Sequence, residues 1–126
     1  MAATILVVDD DPNMRELLAL HLRSAGYTVH VAKDAIEAGY IVLRSPPDLI
    51  VSDVNMPHLD GFDFIRALKA DGTVPDIPVI FLTTEEEGEV RGRGLGVVGY
   101  ARKPVLVGNL LALVAKHVSG GRTPIG

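Results

Sequence analysis

Cysteine is absent from this chain, which excludes disulfide stabilisation and thiolate chemistry. A reducing, cytoplasmic setting accommodates such a composition. Long hydrophobic runs are also missing. No segment reaches the length of a membrane span, the N-terminus lacks a signal-peptide pattern, and no membrane role is expected. There is no excess of basic residues: 12 Lys and Arg stand against 16 Asp and Glu, for a net charge of −4. No basic stripe or aromatic platform stands out, so direct nucleic-acid binding is not expected.

What remains is a chain of 126 residues, 48% of them apolar, long enough to bury a core as one domain. Ile5 to Val8 is continuously apolar and β-rich, the pattern of a strand covered on both faces. The period then changes. Met14, Leu17, Leu18, Leu22 and Ala25 share one helical face, Pro12 suits a first helical turn, and Gly26 supplies the stop. Thr28 to Ala32 reads as a second strand. Asp34 reads as the cap or first-turn acid of a helix ending near Leu43, where Ser45-Pro46-Pro47 blocks continuation.

The pattern repeats. Asp48 to Ser52 is an apolar strand ending at Asp53, Met56 to Gly61 a loop, and Phe62 to Ala70 a third helix. Val79 to Leu82 is a fourth strand ending at Thr83-Thr84. A fifth lies within Gly96 to Ala101, and Leu106 to Val118 is a final helix. Ser119 to Gly126 reads as a flexible tail or linker stub. Five β-α units with short loops predict a three-layer α/β sandwich, (βα)5, around a parallel sheet. Between the last two strands, "EEEGEVRGRGLG" (Glu85 to Gly96) occupies the place of the fourth helix. Its glycines at 88, 92, 94 and 96 predict a short, frayed and mobile one, since each costs about 1 kcal/mol relative to alanine.

The acids carry the chemistry. Asp9, Asp10 and Asp11 follow the first strand, Asp53 the third, Thr83 the fourth and Lys103 the fifth. Parallel strands bring these groups to one edge of the sheet, where such folds place ligands. Three carboxylates beside one lysine repel each other, and a hard divalent cation relieves that repulsion. Mg²⁺ prefers oxygen ligands and also suits phosphoryl oxygens, and Mn²⁺ fits the same set. Asp11, beside Pro12, is the natural helix cap. An aspartate can attack phosphorus to form an acyl phosphate. Asp53 stands alone at its strand end and is assigned as acceptor. Asp10 is assigned as direct metal ligand, Asp9 as ligand through water, and the backbone carbonyl of Asn55 as completing the shell. Thr83 supplies a hydroxyl donor and Lys103 a positive charge.

"VVDD" (Val7 to Asp10), "DVNMPHLDG" (Asp53 to Gly61), "LTT" (Leu82 to Thr84) and "YARKP" (Tyr100 to Pro104) together resemble the receiver domain of bacterial response regulators, over about residues 3 to 118. The resemblance implies a doubly wound, flavodoxin-like sheet in the order 2-1-3-4-5, with residues 1–118 as the receiver domain. It implies a phosphorylation-activated switch rather than an enzyme. A histidine kinase or histidine phosphotransfer protein would transfer a phosphoryl group to Asp53 in a Mg²⁺-dependent step. Asp10, Asp53 and the Asn55 carbonyl would bind the ion with Asp9 assisting, and Thr83 and Lys103 would contact the phosphoryl oxygens. Tyr100 would turn inward as Thr83 moves, remodelling the surface of the fourth helix, fifth strand and fifth helix for an unknown downstream protein or output domain. The state is expected to be a monomer or a phosphorylation-dependent weak dimer. The resemblance also implies a cis Lys103-Pro104 bond and a tight turn permitted by Gly61. Asn55 and Glu85 resemble the pairing of fast self-dephosphorylating receivers. Val97 and Val98 depart from the family's usual pattern and are expected to lengthen the fifth strand.

Three other readings compete. A haloacid-dehalogenase-like phosphatase would use Asp9 as nucleophile, but no acidic pair follows Lys103. A flavin binder would need a phosphate-cradling loop where the triple acid stands. A receiver fold could also serve only as an interaction module, without phosphorylation.

Overall fold

The computed structural model of the chain describes residues 3–56, 59–84 and 96–118. The expected glycine-rich helix lies outside the described residues except for Gly96, and the 119–126 tail lies outside them entirely.

The elements are β1 (Thr4–Val8), α1 (Pro12–Ser24), β2 (Thr28–Ala32), α2 (Ala35–Arg44), β3 (Leu49–Asp53), α3 (Gly61–Ala70), β4 (Val79–Thr83), β5 (Val97–Arg102) and the final helix α4 (Val107–Val118). All strand pairings are parallel, and the sheet runs β2-β1-β3-β4-β5. Central strands are covered on both faces and therefore read as unbroken apolar runs. Every residue of β3 and β4 is buried, whereas edge strand β2 exposes Thr28 and His30.

Successive side chains on a strand point to opposite faces, so the sheet splits its residues between two cores. Ile5, Val7, Val51 and Leu82 pack with Leu18 and Leu22 of α1 and Leu110 and Val114 of α4. Leu6, Val8, Ile50 and Phe81 pack with Ala38 and Val42 of α2 and Phe62 and Ile65 of α3. That is the three-layer sandwich. Each fully buried large apolar side chain contributes about 1.5–3 kcal/mol.

Local chemistry sets the helix ends. Asp11 caps α1 by accepting from the Asn13 N–H at 2.9 Å, with Pro12 at the first helical position. Asp34 caps α2 through the Glu37 N–H at 2.8 Å. Asp60 caps α3 through the Asp63 N–H at 2.9 Å, a role hidden within the expected Met56 to Gly61 loop. Gly26 adopts a φ of 101° just past α1, a left-handed conformation that glycine takes without strain.

Two expectations change in detail. Asp53 and Thr83 are the last residues of β3 and β4 rather than the residues after them. Among the described residues β5 is indeed the longest strand, at six residues, but not as a simple extension. Val79 pairs with Val97 and Ile80 with Gly99, so Val98 is an extra residue accommodated by a register shift.

Candidate phosphoryl and metal site

The site lies at the carboxyl ends of β1, β3, β4 and β5. Asp9 is the first residue beyond β1 and is fully buried. Its N–H donates to the Ala32 carbonyl at 3.1 Å, extending the β1–β2 pairing by one step. Its Oδ1 accepts from the Asp11 N–H at 2.9 Å. Its Oδ2 is buried with no hydrogen-bond partner among the described residues. Asp10 beside it is exposed. Asp53 ends β3 and is nearly buried. One carboxylate oxygen accepts from the Asn55 N–H at 3.2 Å, and the other pairs with Lys103 Nζ at 2.9 Å.

Strand register makes this convergence. β3 neighbours both β1 and β4, and Asp53 pairs with Leu82, one residue before Thr83. The Lys103 N–H donates to the Thr83 carbonyl at 3.0 Å, which ties the end of β5 to the end of β4. The Lys103-Pro104 peptide is cis, as the resemblance implied. Thr83 is buried at the end of β4. Tyr100 is half-buried in β5 and stacks beside Phe81, with ring centroids 6.2 Å apart. Two-residue alternation puts Phe81 and Thr83 on the same face of β4, so Tyr100 packs against the residue next along from Thr83 on that face.

One carboxylate oxygen each from Asp9, Asp10 and Asp53 can be chosen so that all three lie within 4.8 Å of one another. Burial pushes the Asp9 carboxyl up to about 6. The Asp53 and Asp10 charges push the same way, while the Asp11 N–H bond and the Lys103 ammonium oppose them. A buried carboxylate with one unpartnered oxygen and like charges nearby is costly unless something compensates. A divalent cation with oxygen ligands supplies that compensation, so the donor set fits Mg²⁺ or Mn²⁺.

The structure thus brings Asp9, Asp10, Asp53 and Lys103 together, places Thr83 on the adjoining strand end, and sets Asn55 against Asp53. Glu85 lies outside the described residues. Gly61 needs a corrected explanation. Its φ is not left-handed, so turn conformation is not the reason for glycine. A Cβ there would meet the Asp53 carbonyl oxygen at 2.6 Å and the Phe81 ring at 2.9 Å. The Gly61 N–H also donates to the Val54 carbonyl at 2.8 Å. The start of α3 is therefore pressed against the backbone that carries Asp53, a contact between residues eight apart that no local pattern reveals.

The described fold agrees with comparisons to known proteins. A family model described as "Response regulator receiver domain" matches residues 5–115. The chain is 37% identical over 112 residues to the "DNA-binding dual master transcriptional regulator RpaA" of Synechocystis sp., covering 87% of this chain and 46% of that protein. It is 41% identical over 114 residues to "Response regulator MprA" of Mycobacterium ulcerans, covering 89% and 48%. The chain therefore spans about half the length of these curated relatives. Among solved structures, the chemotaxis response regulator CheY4 of Vibrio cholerae superposes with a TM-score of 0.85 at 34% identity, covering 92% of this chain and 98% of that one. A response regulator receiver protein from Pseudomonas putida gives 0.79 at 36% identity, covering 92% and 98%. These matches set aside the phosphatase and flavin-binding readings, and the chain belongs to the response regulator receiver domain family.

Proposed function

We propose that this chain is a phosphorylation-activated signalling switch in which Asp53 accepts a phosphoryl group from a histidine kinase or histidine phosphotransfer protein. The observation that carries this reading is the convergence of Asp9, Asp10 and Asp53, one Asp9 oxygen being buried without a hydrogen-bond partner, with Lys103 at 2.9 Å from Asp53. Bound Mg²⁺ would neutralise charge on the phosphoryl oxygens and on the carboxylates that approach them. Asp9, Asp10, Asp53 and the Asn55 carbonyl are the residues that would hold it.

Asp53 attacks phosphorus with a carboxylate oxygen. The new O–P bond forms as the P–N bond to the donor histidine breaks, and the bonding pair leaves with the imidazole nitrogen, which takes up a proton. The Lys103 ammonium offsets charge on the transferred group, and the Thr83 hydroxyl donates to one of its oxygens. Because Lys103 and Thr83 sit at the ends of β5 and β4, the added charge pulls on both strands. Tyr100, packed beside Phe81, follows Thr83 inward, and the surface of β5 and α4 changes with it. Phosphorylation thereby biases an existing equilibrium between two arrangements. The recipient is a downstream protein or an output domain. The receiver domain spans residues 1–118, acts in the cytoplasm as a monomer or weak phosphorylation-dependent dimer, and turns over its own acyl phosphate.

The test is intact mass spectrometry after incubation with acetyl phosphate, with and without Mg²⁺, on the parent and on Asp53→Asn. A gain of about 80 Da, one phosphoryl group, is expected in the parent with Mg²⁺ and not in the variant. No gain at short times, together with no beryllofluoride binding, overturns the switch in favour of a silent interaction module.

A further inference from the structure

Arg15 lies in the second turn of α1, and its N–H closes the helical bond to the Asp11 carbonyl at 2.9 Å. Its side chain reaches back across the β1–α1 turn, where Nη1 donates to the backbone carbonyl of Asp9 at 2.9 Å. That carbonyl belongs to the peptide unit joining Asp9 to Asp10. The Asp9 N–H is held by Ala32 and the Asp9 Oδ1 by the Asp11 N–H. Arg15 therefore closes the remaining side of this turn, from a half-buried position on a rigid helix.

We propose that Arg15 is a positioning residue for the divalent-cation site: it fixes the Asp9–Asp10 peptide so that both carboxylates converge with Asp53. The inference rests on the cation reading of the acid cluster. Two effects of the guanidinium on that site have opposite signs. Its positive charge repels a cation, so charge alone predicts tighter metal binding when Arg15 is removed, modestly so at a solvated rim. Its hydrogen bond orients two ligands, so positioning predicts weaker binding. Partners that orient metal ligands are typically worth about 10–100-fold in affinity, which exceeds the screened repulsion. A rigid turn also lowers the ordering cost met when the ion binds.

Calorimetric titration of Mg²⁺, repeated with Mn²⁺, into the parent, Arg15→Met and Arg15→Lys at pH 7.5 tests this. Circular dichroism in chelator confirms that each variant is folded at the titration temperature. The Met variant is expected to bind Mg²⁺ about tenfold more weakly. The Lys variant, which keeps a charge and a donor but loses the planar fork, is expected to fall between. A purely structural role would lower the unfolding midpoint in chelator and leave the dissociation constant unchanged. Should Arg15→Met fail to fold, Arg15→Gln takes its place, with the same expected weakening. Equal or tighter Mg²⁺ binding in the charge-removing variant overturns the Arg15 role alone. Absence of Mg²⁺ binding in the parent overturns the cation reading and the Arg15 role with it.

Discussion

Two lysine–aspartate pairs sit at opposite ends of the same sheet. Lys103 meets Asp53 at 2.9 Å beyond the carboxyl ends of the strands, and Lys69 meets Asp76 at 2.5 Å near the start of β4. By distance alone both are close ion pairs. Their surroundings are not. The Asp53 side chain is 4% exposed and faces Asp9 and Asp10, whereas the Asp76 side chain is 90% exposed. Lys69 holds the Asp76 carboxyl below the usual carboxylate range through its hydrogen bond and charge, while burial drives Asp9 at the other end up to about 6. Lys69 also donates to the Ile77 carbonyl at 2.8 Å, and it approaches Gly96 so closely that a Cβ there would lie 2.8 Å from Nζ. The exposed pair is a clasp holding loops together. The buried pair is part of a site because several like charges are forced into one place with too few counter-charges.

The two ends of the sheet should differ most in their response to pH. A carboxyl raised from 3.8 to about 6 favours the folded state fully below pH 3.8, and that contribution disappears as pH rises through 6. From Asp9 the loss is on the order of 3 kcal/mol. Urea unfolding in chelator should therefore show stability falling between about pH 4 and pH 6, and Mg²⁺ should restore it above that window by binding the folded state. Asp76, with its lowered pKa, acts with the opposite sign, and its contribution is lost only as pH drops below the ordinary aspartate range. A flat apo profile between about pH 4 and pH 6 would erase the distinction.

A smaller effect is expected at Gly61. Gly61→Ala places a methyl 2.6 Å from a backbone oxygen of Asp53, and the backbone cannot swing aside as a side chain would. Overpacking of this kind costs about 1–3 kcal/mol, and the shift of Asp53 should also weaken Mg²⁺ binding. Chemical denaturation and calorimetry read the two effects separately. Unchanged Mg²⁺ affinity would show that α3 does not brace the site.

Lys69→Met carries the smallest expectation. Losing the bond to the Ile77 carbonyl should cost about 1 kcal/mol, while Mg²⁺ affinity and acetyl phosphate labelling stay at parental values. Any loss of labelling would link the two ends of the sheet and undo the comparison.

Much of this was readable from residue order. The apolar runs ending at Asp9, Asp53, Thr83 and Lys103 are strand signals, and parallel topology alone gathers their ends. Asp11 and Asp34 announce their caps by preceding helical patterns. The unreadable parts depend on distance in space. Thr4 donates to Asp48 at 2.7 Å across 44 residues, Gly61 is shaped by Asp53 and Phe81, and Val98 is accommodated only by the register of β4 against β5. Arg15 is legible as a helix residue, but its bond to the Asp9 carbonyl emerges only when the turn is folded.

The most direct measurement is a Mg²⁺ titration of the ¹⁵N-labelled protein followed by amide NMR. Saturable shifts are expected at Asp9, Asp10, Asp11, Asn55 and Lys103, with Lys69, Asp76 and Ile77 unmoved. Shifts that fail to saturate at the acid end, or that match those around Lys69, would contradict a built cation site at the carboxyl ends of the strands.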